Sequence, residues 1–252
     1  TDESVVRFLD KVCQTKLEPY IESSYEALAK YVSAYEQKMF MKRENIANKG
    51  IWTAKKRYIL NVWNSEGVQY AEPKLKVMGI EAVKSSTPGA CRDKIKECLK
   101  VIMNEDEEAS QKFIASFKDE FQRLPIEDIS FPRGCNNLNK WANPSSIYSK
   151  GTPIHVRGAL LYNHYNKKNN LTHKYPLIQD GEKIKFIYLK TPNKYGENVI
   201  SYLQTLPKEF ALDKYIDYDV QFGKSFLEPI RVIMEKIGWK PEKVASLEFL
   251  FG

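Results

Sequence analysis

The chain has 252 residues, of which 42% are hydrophobic, so it has enough apolar side chains for one large or two modest folded domains. No run approaches the roughly 18 apolar residues of a membrane span, and Thr1-Asp2-Glu3 does not open a signal peptide. The net charge of +7 is modest. These features exclude an integral membrane protein and a disordered chain, and predict a folded cytoplasmic protein.

The cysteines and histidines do not have the spacing of a metal site. The cysteines form no CxxC pair, and the three histidines lie nine residues apart, which fits neither a zinc ribbon nor an HExxH helix. The sequence therefore predicts no structural metal.

Positive charge is concentrated in one part of the chain. Residues 38–100 carry 14 basic and 6 acidic side chains, whereas residues 1–37 carry 4 and 7. Such a block is typical of a surface that faces phosphate, and a solvated basic face is the alternative.

The first predicted elements are a helix and a small sheet. Apolar residues recur at helical spacing through residues 4–35, which predicts an amphipathic helix that bends near Pro19. Alternation in residues 38–42 and β-forming residues in 58–63 predict antiparallel strands, with a hairpin turn at Glu66-Gly67.

A second domain is predicted to begin after residue 81. Thr87 and Pro88 have the pattern of a helix start, with Thr87 as the cap and Pro88 in the first helical position. The spacing of apolar residues from Gly89 to Leu124 predicts two helices, joined by an acidic turn at residues 104–108.

The rest of the chain is predicted to be mixed. Proline and glycine make residues 125–152 rich in loops, residues 153–163 and 183–190 are predicted strands, and residues 207–237 are predicted to be helical. Asp217-Tyr218-Asp219 imitates a metal-binding pair, but its helical pattern favours a solvated helix surface.

Two basic motifs carry the strongest chemical signal. In Lys55-Lys56-Arg57-Tyr58, alternation along a strand would put Lys56 and Tyr58 on one face, with a charge for phosphate and a ring for sugar or base. In Lys84-Ser85-Ser86-Thr87-Pro88, a lysine and hydroxyls precede a helix whose free N–H groups attract anions. Each motif alone is also compatible with ordinary solvated surface.

Together, and with Met78-Gly79-Ile80-Glu81 between them, these motifs resemble the palm-to-thumb junction of family B DNA polymerases of the T-even-like phage type. The resemblance implies that Lys55, Lys56 and Tyr58 hold the primer strand near its growing end. It also implies that Lys84, Ser85 and Ser86 touch the duplex where the thumb begins.

The resemblance covers nearly the whole chain. Phe8-Leu9-Asp10-Lys11 and Met39-Phe40-Met41 are similar to the palm, and His155-Val156-Arg157-Gly158 is similar to the thumb. It implies an α+β fold: a partial palm of a long helix and a small antiparallel sheet in residues 1–81, then a mainly helical thumb with a β insertion in residues 82–243. His155 and Arg157 become candidate phosphate contacts, with a structural role for the histidine as the alternative.

Residues 244–252 form an apolar tail similar to the clamp-binding peptides of replicative polymerases. Leu247, Leu250 and Phe251 are the expected anchors, and Phe249 stands at a less conventional position. The alternative is a segment that folds back onto the thumb.

The family's two metal-binding aspartates, which hold Mg²⁺ in the complete enzyme, are expected upstream of Thr1 together with the fingers and the exonuclease. The resemblance thus implies a piece that binds primer-template DNA and a sliding clamp in an infected bacterium, holds no cofactor itself and is inactive alone. The piece is then either a truncated gene product or one half of a split enzyme, whose partner would be an N-terminal polymerase half with the aspartates. A stand-alone DNA-binding or clamp-binding module without catalysis is the alternative.

Overall fold

The computed structural model describes residues 2–243, and its contacts divide the chain into two compact units, Thr1–Gly79 and Ile80–Gly252. Both units combine helices with small antiparallel sheets, so the predicted α+β class is confirmed. The palm–thumb boundary after residue 81 stays a prediction, and the predicted tail at 244–252 lies outside the described residues. No helix in the described part is long and apolar enough to span a bilayer.

The first unit opens with a bent helical segment, as predicted. Helix α1 (Asp2–Val12) continues through a wider π turn (Cys13–Leu17) into helix α2 (Glu18–Tyr31), and Pro19 lies in the first turn of α2. Proline has no N–H to donate to the preceding turn, so the irregular turn lies where an ordinary helical hydrogen bond is missing.

Three antiparallel strands complete the first unit: β1 (Asn45–Ala54), β2 (Arg57–Ser65) and β3 (Val68–Met78), in that order. The predicted turn at Glu66-Gly67 is confirmed, and both residues have the positive φ of a type I′ hairpin, 50° and 86°. The predicted strand at 38–42 is wrong: this stretch precedes β1 and pairs with no described strand, so its alternation has no ladder to join.

The second unit begins with the two predicted helices, α3 (Gly89–Asn104) and α4 (Glu107–Phe121). The acidic turn between them supplies a cap, because the Asp106 carboxylate accepts a 2.8 Å hydrogen bond from the Ala109 N–H. The predicted start of α3 is one residue early. Pro88 is the cap residue rather than the first helical residue, because its ψ of 143° is extended.

Short elements fill the stretch predicted to be loop-rich. They are α5 (Ile126–Ile129), β4 (Phe131–Gly134), α6 (Leu138–Trp141), β5 (Ala142–Asn143) and β6 (Ile147–Tyr148).

The predicted strand at 153–163 is wrong, because these residues begin helix α7 (Ile154–Lys168). Val156, Ala159 and Tyr162 are buried at helical spacing, and α7 packs against a sheet made of β4, β7 (Lys183–Tyr188) and β8 (Val199–Tyr202). Strand β7 confirms the prediction at 183–190. Gly158 permits the close packing, since a Cβ there would lie 2.8 Å from the Ser201 backbone nitrogen.

The C-terminal stretch is helical but irregular. Two short 3₁₀ turns (Lys208–Phe210 and Asp213–Tyr215) precede α8 (Tyr218–Phe222), a π turn (Gly223–Leu227) and α9 (Glu228–Lys236). Asp217 caps α8 by accepting a 3.0 Å hydrogen bond from the Val220 N–H, so it serves the helix, as its pattern suggested.

Aromatic rings form the centre of the second unit. The Phe226 ring centroid lies 4.7 Å from that of Phe117 and 5.3 Å from that of Phe222. Three cysteines are also fully buried in this unit: Cys91, Cys98 and Cys135. The elements that carry the predicted thumb residues therefore rest on a packed core.

Candidate nucleic-acid interface

Lys55 and Lys56 form the tip of the first hairpin. Strands β1 and β2 pair Trp52 with Tyr58 and Ala54 with Arg57, so the chain reverses at the two lysines, and both are exposed. The prediction that Lys56 and Tyr58 share a strand face is therefore wrong. Lys56 lies in a turn with a φ of 61°, where the alternation of a strand does not apply.

Gly79 helps to set the position of this turn. Its φ is +67°, and a Cβ on it would lie 2.4 Å from the Lys56 carbonyl oxygen. Only glycine fits there without displacing the backbone. The end of β3 and the lysine turn are thus held against each other inside the first unit.

Tyr58 lies in a row of large side chains beside the lysine turn. It is half-buried between its cross-strand partners Trp52 and Met78, which are 65% and 45% exposed. The Trp52 ring lies over Gly50, where an added Cβ would meet the ring at 2.6 Å. The first unit thus presents two exposed lysines next to large apolar side chains, a combination suited to the phosphate, sugar and base of a nucleic-acid strand.

Lys84, Ser85 and Ser86 lie together just before α3 in the second unit. Ser85 is exposed, and the Lys84 ammonium lies 2.7 Å from the Glu81 carboxylate. The first N–H groups of α3 follow and carry the positive end of the helix dipole. An anion in this position would compete with Glu81 for Lys84.

His155 lies in the first turn of α7. Its ring is half-buried with its centroid 6.3 Å from that of Phe186, and its carbonyl accepts a 2.8 Å hydrogen bond from the Ser201 hydroxyl. Burial, and then the nearby Arg133 guanidinium, lower the pKa of His155 below its usual 6.5. At neutral pH this imidazole is therefore a neutral hydrogen-bonding group rather than a cation.

Arg157 is held by its surroundings. Its guanidinium donates to the Asn198 side-chain oxygen and lies 5.7 Å from the centroid of the Tyr148 ring. No carboxylate between residues 2 and 243 is within ion-pair distance of it. Its positive charge is therefore not neutralised by a direct partner in the described chain.

Arg133 lies near predicted DNA-binding residues from two different motifs, although no sequence motif pointed to it. It is exposed on β4, donates a long 3.5 Å hydrogen bond to the Ser86 carbonyl, and lies close enough to His155 to lower its pKa. The second unit thus brings Ser86 and His155 near one arginine. A lone arginine in a loop-rich stretch gives no periodic signal by which the sequence could have revealed this.

The carboxylates of Asp217 and Asp219 have contacts within the second unit. Residues 2–243 contain no group of three or more His, Cys, Asp and Glu side chains placed to hold a metal ion. Asp217 caps a helix, and Asp219 lies 3.6 Å from the Lys118 ammonium. The two carboxylates therefore interact with a helix terminus and a lysine of the second unit.

The predicted DNA-binding residues form two groups, one in each unit. Lys55, Lys56 and Tyr58 belong to the first unit, and the second unit holds Lys84, Ser85, Ser86, His155 and Arg157. The predicted clamp-binding residues are Leu247, Phe249, Leu250 and Phe251, which lie outside the described residues.

Comparison with known proteins places the chain in a family. Residues 13–237 match DNA polymerase family B. The chain is 34% identical over 260 aligned residues to the DNA-directed DNA polymerase of Enterobacteria phage T4, and 36% identical over 259 to that of Escherichia phage RB69. Each alignment covers 98% of this chain but only 28% of the phage polymerase. The chain therefore belongs to DNA polymerase family B, as its two basic motifs indicated.

Proposed function

We propose that this chain is a palm and thumb portion of a family B DNA polymerase, which holds primer-template DNA during template-directed nucleotidyl transfer. The family match over residues 13–237 is the observation that carries the proposal, because it contains both basic groups. On this proposal residues 1–81 belong to the palm and residues 82–243 to the thumb.

The two groups bind different parts of the primer-template DNA. In the first, Lys55 and Lys56 bind primer phosphates and Tyr58 supports the strand near its growing end. In the second, the hydroxyls of Ser85 and Ser86 with Lys84, and the first turn of α7 with His155 and Arg157, bind the duplex backbone. A replicative enzyme copies every sequence, so these contacts go to phosphate and sugar rather than to base edges that distinguish sequence.

We propose that the 252-residue chain alone does not catalyse the transfer. The sequence contains no Tyr-Gly-Asp-x-Asp-like motif, and residues 2–243 contain no group of three or more His, Cys, Asp and Glu side chains placed to hold a metal ion. The rest of the polymerase would supply the aspartates with their Mg²⁺, which orient the primer hydroxyl and neutralise the transferring phosphate.

The distribution of exposed apolar side chains supports contact with the rest of a polymerase, in the same polypeptide or in another. Among the described residues, 12 of the 18 exposed large hydrophobic side chains lie within residues 5–41. Apolar surface so concentrated is typical of a protein–protein contact. Its aromatic members are Phe8, Tyr20, Tyr31, Tyr35 and Phe40.

A salt titration of DNA binding tests whether the two groups contact DNA phosphates. Changing both Lys56→Ala and Lys84→Ala should weaken binding to all primer-template sequences about equally. It should also lower the slope of log affinity against log salt by roughly one for each lost phosphate contact. The matched control is Lys100→Ala with Lys168→Ala, which removes the same charge from exposed positions outside both groups. Equal slopes for the two double variants would show that the motifs are ordinary solvated surface.

Primer extension tests the proposed inactivity. The purified chain with Mg²⁺ and nucleotides should extend no primer, and extension by the chain alone would refute the claim.

Genomic context distinguishes the polymerase portion from the alternative function, a stand-alone binding module. An adjacent reading frame that ends in a Tyr-Gly-Asp-x-Asp-like motif supports a split enzyme, and its absence, together with retained DNA binding, favours the module.

We also propose that residues 244–252 bind a sliding clamp through Leu247, Leu250 and Phe251, with a lesser role for Phe249. Deleting the segment should abolish clamp binding and preserve DNA affinity, because a short peptide depends on a few apolar anchors. The pair Leu250→Ala and Phe251→Ala should reproduce the deletion, since each buried apolar side chain contributes about 1.5–3 kcal/mol. A lowered melting temperature with unchanged clamp binding would instead assign the tail to the core of the second unit.

A further inference from the structure

Two residues with left-handed backbone conformation meet in the first unit. Lys56, at the tip of the β1–β2 hairpin, has a φ of 61°, and Gly79, directly after β3, has a φ of 67°. A Cβ on Gly79 would lie 2.4 Å from the Lys56 carbonyl oxygen and 3.0 Å from the Arg57 Cγ. The end of β3 thus packs against the backbone of the lysine turn with no room for a side chain at position 79.

The backbone conformation of Lys56 is unfavourable for a lysine. Its Cβ crowds the following carbonyl in the left-handed region, and glycine or asparagine usually occupies such a turn position. Residues in strained conformations persist where the surrounding structure holds them, and they are concentrated at functional sites. The turn therefore carries a cationic side chain at a cost in stability, and its conformation depends on neighbouring contacts.

The lysine side chains have no contacts of their own that would fix their direction. Within residues 2–243, no carboxylate lies within ion-pair distance of the Lys55 or Lys56 ammonium. The other contact that ties the turn together is weak: the Thr53 hydroxyl donates a 3.4 Å hydrogen bond to the Arg57 carbonyl. The position of the turn backbone therefore determines where the two ammonium groups lie.

We propose that Gly79 is a positioning residue for the primer strand, because it holds the lysine turn in the conformation that binds DNA. The inference rests on the proposed function of Lys55, Lys56 and Tyr58. A turn that is held in place before DNA arrives loses little conformational freedom on binding, so less of the binding energy is spent on ordering it. A side chain at position 79 would displace the Lys56 carbonyl and move both lysines with it.

Alanine at position 79 tests this role. Gly79→Ala should weaken binding to a primer-template duplex about ten-fold and lower the salt slope by roughly one, because the displaced turn loses a phosphate contact. Gly67→Ala is the matched control. Gly67 has a φ of 86° in the other hairpin of the same unit, and a Cβ there would meet only the Gln14 amide nitrogen, at 3.9 Å. This control has the same backbone strain but should keep wild-type DNA affinity.

A double-mutant cycle separates positioning from a general structural role. In a Lys55→Ala and Lys56→Ala background, Gly79→Ala should cause no further loss of affinity, since no lysine is left to misplace. A general structural role would weaken binding by the same factor in both backgrounds. Thermal unfolding checks that each variant is folded.

A milder variant keeps the test decisive if Gly79→Ala does not fold. Thr53→Val removes only the hydroxyl that bonds to the Arg57 carbonyl, so it loosens the same turn. It should weaken DNA binding about two-fold, and only when the lysines are present. In that case, unchanged binding by Thr53→Val would overturn the inference.

The outcomes separate this inference from the proposed function. A loss in Gly79→Ala that is absent from Gly67→Ala and from the lysine-free background supports the positioning role. Unchanged binding by Gly79→Ala, or an equal loss in the control or the lysine-free background, overturns it and leaves the proposed function standing. Wild-type binding that survives removal of both lysines overturns the inference together with the role of the first group. Failure of the wild-type chain to bind duplex DNA at low salt overturns the inference and the proposed function.

Discussion

The helical segment of the first unit and the core of the second use similar side chains in opposite ways. Helix α2 contains no buried residue, and Phe8 of α1 is 65% exposed. In the second unit, by contrast, Phe117, Phe121 and Phe226 are almost fully buried against one another. Aromatic content therefore does not by itself indicate a core. Burial shows which rings stabilise this chain and which remain available to a partner.

The largest expected difference comes from one ring in each region. Phe226→Ala removes a fully buried side chain and should lower the free energy of unfolding by about 3–5 kcal/mol. Phe8→Ala should change it by no more than about 0.5 kcal/mol, because this ring already faces solvent. Denaturant unfolding of both variants measures the contrast. Equal losses would mean that Phe8 is part of a core in solution.

A smaller difference is expected for hydroxyl groups. The buried Tyr202 hydroxyl lies 2.7 Å from the Ser130 hydroxyl, so Tyr202→Phe should cost about 1 kcal/mol of unfolding free energy. Tyr20 is 70% exposed, and Tyr20→Phe should have almost no effect. A neutral Tyr202→Phe in thermal unfolding would show that this hydrogen bond adds nothing to the core.

Gly50 tests the local packing of the first unit. Because a Cβ there would meet the Trp52 ring at 2.6 Å, Gly50→Ala should turn the indole away from the sheet. The indole is exposed and can move, but the Cβ would also meet a methyl group of the half-buried Leu60 at 2.9 Å, so the cost should be about 1 kcal/mol. Tryptophan emission should shift in Gly50→Ala, and the shift should disappear in the Trp52→Phe background. A shift that persists there would come from another tryptophan.

The smallest expected effect is a pH dependence in the second unit. The folded pKa of His155 lies below its usual 6.5, so protonation favours the unfolded chain. The contribution of this residue to stability is therefore complete above about pH 6.5 and declines as the pH falls below it. His155→Asn should remove this part of the decline when unfolding is followed from pH 8 to pH 5. Identical pH profiles would place the imidazole in solvent.

The sequence predicted elements whose signal is local. Proline marked the bend before α2, Glu66-Gly67 marked a hairpin, and the acidic turn separated α3 from α4. Prediction from the sequence failed where a tertiary contact determines the secondary structure. Residues 153–163 contain Ile154, Val156 and Tyr162, which favour strands, but burial against β8 selects a helix. The turn at Lys55-Lys56 lacks the glycine or asparagine that usually announces one.

The candidate site was predictable to a similar degree. The two basic motifs were visible because each is contiguous in the sequence. Arg133 is far in the chain from Ser86 and His155, and it lies near them only because β4 pairs with β7 in the sheet against which α7 packs. A single sequence has no local pattern that reports such a meeting.

The buried cysteines have a practical consequence for labelling the native chain. Burial raises the pKa of Cys91 and Cys135 to about 11 and that of Cys98 to about 12, so these thiols are rarely ionised and are shielded from reagents. Cys13 is only half-buried and lies in the first unit. A maleimide dye should therefore attach at Cys13 without any engineered substitution, and would report on the first unit alone.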